Sequence, residues 1–141
     1  MVRVEVDGVR VQRAQAGMDR GYLEPEDRTY LTLREAEGRR ALDMEIGHSE
    51  AFAISSALEG TKWKRPMTHK LLGQVVVALG ATLRKMTISE HRDGVYVAEM
   101  ELVDRSGDVV VVSARPSDAV AVALQVGAPI LVSEALLADV A

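Results

Sequence analysis

The sequence contains no cysteine among its 141 residues. Disulfides, thiolate metal sites and cysteine nucleophiles are therefore excluded. No uninterrupted apolar run approaches the roughly 20 residues that a membrane-spanning helix needs, and the stretch Met1–Glu5 lacks the apolar segment of a signal peptide. These absences predict a cytoplasmic protein that does not associate with a membrane.

Tightly spaced motifs for metals or nucleotides are also absent, since the sequence has no HExxH, no Walker loop and no GxGxxG. The histidines His48, His69 and His91 are too scattered along the chain to define a site by themselves. A formal net charge of −4 argues against a strongly basic surface that coats nucleic acid, although it leaves room for a local basic groove. Any catalytic site must be assembled by folding from residues distant in sequence.

The composition is that of an ordinary globular protein, with 48% hydrophobic and 27% charged residues. The length predicts a single domain, 1–141, that is large enough to bury a sizeable core. The hydrophobic periodicities run in the order strands, two helices, strands, helix, strand, helix. This segregation predicts an α+β fold, in which helices pack against a mostly antiparallel sheet within a single compact domain.

Turn residues divide the predicted strands. Asp7-Gly8 predicts an N-terminal hairpin, and Asp93-Gly94 predicts another hairpin later in the chain. The polar stretch 14–28 contains glycine, has no clear period and is expected to form a loop. The other expected elements are paired strands over 30–33 and 40–46, a strand over 109–113 and a short final helix over 134–139.

The stretch from Arg115 to Val132 carries the clearest local signals. Its alternation of alanine with larger apolar residues would allow a strand, but alanine is the best helix former. Pro116 and Ser117 mark a helix start, and Gly127 marks its end. Since the helix is apolar on all sides, we expect it at the centre of the fold. The side chains expected to be nearly inaccessible are Val120, Val122, Leu124 and Ile130.

Two further helices are predicted in the middle of the chain. Ser49 and Thr68 are expected to cap their first turns, and Gly60 and Gly80 are expected to end them. The second of these helices has a wide apolar face that is expected to pack on the core. That face is formed by Leu71, Leu72, Val75, Val76 and Leu79.

Three motifs, in this order, resemble those of the bifunctional nuclease domain family over about 30–132. The motifs are Ile46-Gly47-His48-Ser49-Glu50-Ala51, Arg65-Pro66-Met67-Thr68-His69, and Arg115-Pro116-Ser117-Asp118-Ala119 followed by Gly127-Ala128-Pro129-Ile130. The resemblance implies a metal-dependent nuclease that hydrolyses the phosphodiester bonds of DNA and RNA. The sequence departs from the family pattern at Lys70, where relatives commonly have Asp, and at Asp43-Met44-Glu45, which replaces a Pro and an aromatic residue.

Four residues at motif positions begin or directly precede predicted helices, namely Glu50, His69, Arg115 and Asp118. We expect them to converge, because helices that cover one sheet often bring their starts to a common edge. In the catalytic interpretation, Glu50 and Asp118 ligate Mg²⁺ or Mn²⁺. His69 then serves as general base or acid, and Arg115 offsets developing charge on the phosphate. In the structural interpretation, the same residues only balance helix dipoles and cap helices, for roughly 1 kcal/mol each.

The densest basic cluster, Lys62-Trp63-Lys64-Arg65, contains the only tryptophan. Basic residues beside an aromatic ring suit single-stranded nucleic acid, through phosphate contacts and base stacking. The alternative is a solvated loop with Trp63 folded back onto the core.

Two functions remain open from the sequence. The first is a nuclease with DNA or RNA as its partner, and the second is a non-enzymatic oligomeric module, for binding or regulation, with the same fold. In either case the valine-rich strands, which have few features that protect a sheet edge, predict a homo-oligomer.

Overall fold

The computed structural model describes residues 1–15 and 21–139. They contain eight strands and three α-helices. In chain order they are β1 Val2–Gln12, β2 Arg28–Glu35, β3 Arg40–Ile46, α1 His48–Glu59, α2 Thr68–Ala78, β4 Thr82–Arg92, β5 Val95–Val103, β6 Val109–Ala114, α3 Pro116–Val126, β7 Ile130–Val132 and β8 Ala138–Asp139.

All eight strands belong to one sheet, in the order β6-β5-β4-β7-β1-β2-β3-β8. Every neighbouring pair is antiparallel except β4 and β7, which run parallel. The parallel pair is possible because α3 lies between β6 and β7 in sequence and returns the chain to the middle of the sheet. The predicted α+β fold with a mostly antiparallel sheet is confirmed.

Helix α3 occupies the centre of the core. Val120 and Val122 are fully buried, and Ile130 in the following strand is almost so, as expected. Leu124 is only partly buried, so the expectation that it is inaccessible was wrong. Helix α3 packs on α1 and α2 and also against β4 and β5. It therefore joins the helical layer to the sheet.

The N-terminal segment is one long strand, and the predicted hairpin at Asp7-Gly8 was wrong. Strand β1 continues through these residues and pairs with β2 along its length. The register shifts between Val6 and Gly8, so the turn-forming pair makes a β-bulge. The hairpin at Asp93-Gly94 is confirmed, with positive φ at both residues, 53° and 78°.

The predicted side-chain caps of the helices are not formed. Helices α1, α2 and α3 have Gly47, Met67 and Arg115 at their N-cap positions, and none of the three makes a side-chain cap hydrogen bond. Each helix starts one or two residues earlier than the hydroxyl residues suggested. As a consequence, Glu50 and Asp118 both take the third helical position, where a carboxylate lies close to the positive end of the helix dipole.

The apolar face of α2 does not pack on the core, contrary to the expectation. Gly73 is the buried residue of this helix, and α2 rests on α3 there: a Cβ built at Gly73 would lie 3.0 Å from Val126 Cγ1. The opposite face is open to solvent, although the sequence pattern alone identified it correctly as apolar. The large apolar residues exposed on this face are Leu71, Leu72, Val75 and Leu79, and Val77 is exposed outside it.

Two other expected elements differ from the structure. The final helix is a short 3₁₀ turn, Glu134–Leu136, followed by strand β8. Part of the predicted loop over 14–28, at 16–20, lies outside the described residues, and Arg28 already belongs to β2. Next to that strand, buried Asp27 accepts hydrogen bonds from the backbone amides of Ala14 and Glu24. No helix in the described part of the chain is long and apolar enough to cross a membrane.

Candidate functional site

The first turns of α1, α2 and α3 bring Glu50, His69, Arg115 and Asp118 together. Arg115 Nη1 lies 3.3 Å from Glu50 Oε1, and Arg115 Nε donates a 2.8 Å hydrogen bond to Asp118 Oδ2. His69 Nε2 lies 2.8 Å from the other oxygen of the same carboxylate, Asp118 Oδ1. We name these four residues the polar cluster. The structure thus brings together the four residues that the helix starts predicted to converge.

Arg115 holds the centre of the polar cluster. Its guanidinium contacts two carboxylates that come from different helices. These carboxylates stabilise a positive charge at this position. Its side chain is 66% exposed, while that of Glu50 is only 12% exposed. The guanidinium therefore has room to turn toward a ligand in solvent.

Asp118 and His69 form a hydrogen-bonded pair across α2 and α3. An ionised carboxylate only accepts hydrogen bonds, so Nε2 of His69 is the donor in this pair. The other ring nitrogen, Nδ1, is then the atom of neutral His69 that can accept a proton. The pairing fixes the orientation of the imidazole, which is the arrangement that general acid–base catalysis requires.

The electrostatics of the polar cluster keep Asp118 ionised. Partial burial would raise the pKa of the Asp118 carboxyl, but hydrogen bonds from Arg115 and His69 outweigh it and hold that pKa below its usual range. The hydrogen bond to Asp118 and the nearby charges of Asp118 and Glu50 raise the pKa of Arg115. At neutral pH the cluster therefore contains a fixed negative charge at Asp118 beside a permanent positive charge.

Gly47 positions the carboxylate of Glu50. The side chain of Glu50 folds back over the N-cap of α1, and a methyl group at Gly47 would collide with its Oε1 atom. The backbone of Gly47 is extended, with φ −69° and ψ 158°, so a residue with a side chain could adopt it. A side chain at position 47 would therefore displace the Glu50 carboxylate, which occupies the volume of the missing Cβ.

The polar cluster lies at the boundary of two clefts. The first, which we name the site cleft, has a volume of about 620 Å³ and is lined by residues that include Glu50, His69 and Asp118. The second cleft, of about 590 Å³, lies between the end of β3, strand β5 and the start of α3. Arg115 lines both clefts, so one guanidinium can serve a ligand that extends into either.

The basic cluster borders the site cleft through Trp63. Lys62, Lys64 and Arg65 are exposed, and Trp63 lines the cleft with 44% of its surface exposed. The ring of Trp63 lies 5.7 Å from that of Phe52, which is itself half exposed. Trp63 is thus not folded into the core, and its contact is with another cleft-lining aromatic ring.

The polar cluster offers oxygen donors of the type that a hard divalent cation prefers, but from only two carboxylates. Among the described residues, no group of three or more His, Asp or Glu side chains is placed to hold a metal ion. Glu50 and Asp118 supply two carboxylates, which fits the way Mg²⁺ binds through one or two carboxylates together with waters and substrate phosphates. The guanidinium of Arg115 now holds the position between them, so a bound cation requires Arg115 to turn away.

Two residues that line the site cleft, Phe52 and His48, have no sequence signal that assigns them to it. Phe52 was not singled out, because it falls within an ordinary helical pattern, although the only phenylalanine in the chain could have drawn attention. His48 lines the site cleft and donates from Nε2 to the carbonyl oxygen of buried Asp27. No sequence signal marks this contact, because it joins α1 to a segment 21 residues earlier.

Comparison with known proteins agrees with the motifs. The bifunctional nuclease domain matches residues 31–141 of this chain. Two uncharacterized proteins of Mycobacterium tuberculosis, from strains CDC 1551 and H37Rv, are each 41% identical to it over 139 residues, covering 99% of this chain and 76% of each relative. All four members of the polar cluster lie inside the matched region. The chain belongs to the bifunctional nuclease domain family.

Proposed function

We propose that the site cleft hydrolyses phosphodiester bonds of DNA and RNA with the help of a divalent cation, Mg²⁺ or Mn²⁺. The observation that carries this proposal is the geometry of the polar cluster. Two carboxylates from separate helices meet at one guanidinium, and one of them orients an imidazole. Membership of the bifunctional nuclease domain family supports the same conclusion.

Each member of the cluster has a task in this reaction. Glu50 and Asp118 would hold the cation, which would polarise the phosphate and lower the pKa of a coordinated water. Arg115 turns from the carboxylates to the phosphate and offsets the negative charge that develops there. His69, held by Asp118 through Nε2, takes up or releases a proton at Nδ1.

The surface at and beside the site cleft suits a nucleic acid strand. Lys62, Lys64 and Arg65 attract the phosphates, and the exposed ring of Trp63 offers a surface on which a base can stack. Since Arg115 lines both clefts, a phosphate bound to it would have one neighbouring nucleoside directed toward the site cleft and the other toward the second cleft.

One observation favours a second candidate function, a non-enzymatic module for binding or regulation. In the described part of the chain both carboxylates of the cluster are already paired, and no trio of metal ligands is formed. Lys70, which also lines the site cleft, adds a positive charge at the position where relatives commonly have Asp. A site of this kind would bind a phosphate backbone and leave it intact.

A digestion assay separates the two functions. Single- and double-stranded DNA and RNA are incubated with the protein and increasing Mg²⁺ or Mn²⁺, using Glu50→Gln and, as matched control, Glu59→Gln. Glu59 is the exposed last residue of the same helix, so its substitution removes an equal charge away from the cluster. We expect cleavage by the wild type and the control and none by Glu50→Gln. Equal cleavage by both variants would point to a contaminating nuclease.

We further propose that the chain works as a homo-oligomer. Strand β6 forms one edge of the sheet, and four consecutive valines in it, Val109 to Val112, are each about half exposed. An apolar edge of this kind favours association, because its unpaired backbone groups are available to another strand. A monomeric mass by light scattering at micromolar concentration would contradict this proposal.

A further inference from the structure

Helix α2 presents an apolar stripe to solvent. Leu71, Val75, Ala78 and Leu79 follow the i, i+4, i+7, i+8 spacing of one helical face, and Leu72 lies at its margin. Leu71, Leu72 and Val75 are 43–49% exposed, and Leu79 is 69% exposed. A helix that shows such a face normally buries it against another helix, since large exposed apolar patches mark interaction sites.

The opposite face of α2 is already occupied. Gly73 contacts α3 so closely that an added Cβ would lie 3.0 Å from Val126 Cγ1, and no room is left for α2 to rotate its stripe inward. The stripe therefore needs an occupant from outside the described structure of this chain.

We propose that the occupant is the same stripe of a second copy, with the two α2 helices packed antiparallel about a two-fold axis near the middle of α2. In this arrangement Leu72 of each copy faces Val75 of the other. The interface is isologous, as in most homodimers. This proposal does not depend on the chemistry of the site cleft.

Charge complementarity favours a second copy in this orientation. The N-terminal end of α2 carries Lys70 and follows the basic cluster, while α2 itself contains no acidic residue. At its C-terminal end, Gly80 lies against the side chain of Arg105, in the turn between β5 and β6. That turn also contains Asp104 and Asp108. Asp104 and Asp108 outnumber Arg105 in this turn, so antiparallel packing places a turn of net negative charge in each copy beside the basic end of α2 in the other, whereas parallel packing would bring the two basic ends together.

The available area is close to what a stable dimer needs. Near its N-terminal end, the stripe is extended by Met67, one helical turn before Leu71, and by the cleft-lining ring of Phe52. With about 200 Å² for each fully exposed large side chain, six half-exposed side chains offer on the order of 600 Å². A typical specific interface buries roughly 800 Å² per partner. The interface between the two copies thus reaches the rim of the site cleft, where the second copy would form part of the wall of that cleft.

Sedimentation equilibrium of the full chain tests this interface with a matched pair of substitutions. Val75→Glu places a charge in the stripe, and Val77→Glu places the same charge about 200° around the same helix, at a residue that is 63% exposed. We expect a dimer for the wild type and for Val77→Glu. Val75→Glu should raise the dimer Kd roughly 100-fold or more, because the charge would be buried without a partner. Since both positions are exposed, the melting temperatures of the monomeric states should be alike.

Oxidative cross-linking tests the orientation, because the chain has no cysteine of its own. In an antiparallel pair, Val75→Cys lies near the two-fold axis and should form a disulfide-linked dimer, while Leu79→Cys lies too far from its copy to do so. Cross-linking of Leu79→Cys in preference to Val75→Cys would overturn the antiparallel arrangement.

Three results would overturn the proposal as a whole. One is a wild-type protein that remains monomeric at concentrations of about 100 µM, well above a micromolar Kd. Another is a dimer that survives Val75→Glu and dissociates with Val111→Glu, since that would assign the interface to the edge strand β6. The third is a monomer that binds anionic phospholipid vesicles through the stripe and loses that binding with Val75→Glu.

Discussion

A single methyl group at Gly47 should separate the position of Glu50 from its charge. The extended backbone of Gly47 accepts alanine without strain, but the new Cβ would occupy the place of the Glu50 carboxylate. Glu50 is the flexible partner in this collision, so its carboxylate should move away from Arg115 while the fold stays intact. Gly47→Ala therefore displaces one group of the polar cluster and leaves every charge of the protein unchanged.

The expected effect on stability is small and the expected effect on catalysis is large. Alanine is a poorer N-cap residue than glycine, by up to about 1 kcal/mol, which corresponds to a fall of about 3 °C in melting temperature for a chain of this size. Misplacing a reacting group by about 1 Å can cost on the order of 100-fold in rate. We expect kcat/KM for nucleic acid cleavage to fall by roughly 10–100-fold.

Gly38→Ala provides the matched control for this experiment. Its new Cβ would collide with the carboxylate of Glu35 in the same manner, and Glu35 is bonded to Arg40 in the turn between β2 and β3. The assay is steady-state cleavage at saturating cation together with thermal melting. If Gly47→Ala cleaves at the wild-type rate while Glu50→Gln is inactive, the position of Glu50 does not matter as we expect. The same conclusion follows if Gly38→Ala loses as much activity as Gly47→Ala.

Three further predictions concern the core, the pH dependence and the basic cluster. Val122→Ala, at a fully buried position, should destabilise the protein by about 2–3 kcal/mol in denaturant melts; Leu124→Ala, at a partly buried one, should cost less, and the reverse order would contradict the assignment of the core. The folded-state pKa of Asp118 is lowered, so its carboxylate contributes stability above about pH 4 that is lost as the pH falls further; Asp118→Asn should flatten this acid loss in thermal melts, and an unchanged profile would count against it. Trp63→Ala should weaken binding of single-stranded DNA by about 1–3 kcal/mol in fluorescence titrations. Lys64→Ala should reduce the slope of log affinity against log salt concentration by about 1. Undiminished affinity of both variants would mean that the basic cluster does not contact the strand.

Elements with a local cause could be predicted from the sequence. The hairpin at Asp93-Gly94 follows from two residues that tolerate positive φ, and helix α3 follows from alanine content between Pro116 and Gly127. The same turn signal failed at Asp7-Gly8, because β2 pairs with both sides of that dipeptide and turns it into a bulge. A local signal cannot report a partner that lies far along the chain.

The apolar stripe of α2 illustrates a second limit. Periodicity correctly identified one face of the helix as apolar, but it cannot say what covers that face. Burial of α2 depends on Gly73, whose missing side chain lets the helix rest on α3 with its other side. The sequence therefore predicted the stripe and placed it wrongly in the core.

The sequence predicted which residues form the polar cluster but not which of them contact each other. Helix starts pointed to Glu50, His69, Arg115 and Asp118, and the three helices do bring these residues together. The expected hydroxyl caps were wrong, because the helices begin before Ser49 and Ser117. The central place of Arg115 between two carboxylates depends on how α1 packs on α3, which no spacing within the sequence contains.

We propose that the polar cluster cleaves nucleic acid with a bound divalent cation. This is tested by cleavage of single-stranded and double-stranded DNA and RNA during a Mg²⁺ or Mn²⁺ titration, comparing the wild type with Asp118→Asn purified in parallel. We expect cation-dependent cleavage by the wild type and none by the variant, with a slightly lower melting temperature of the variant at neutral pH, because Asn is tolerated in the first turn but lacks the charge that Arg115 stabilises. Cleavage that is equal in the two proteins, or absent from the wild type at every cation concentration, would contradict this proposal.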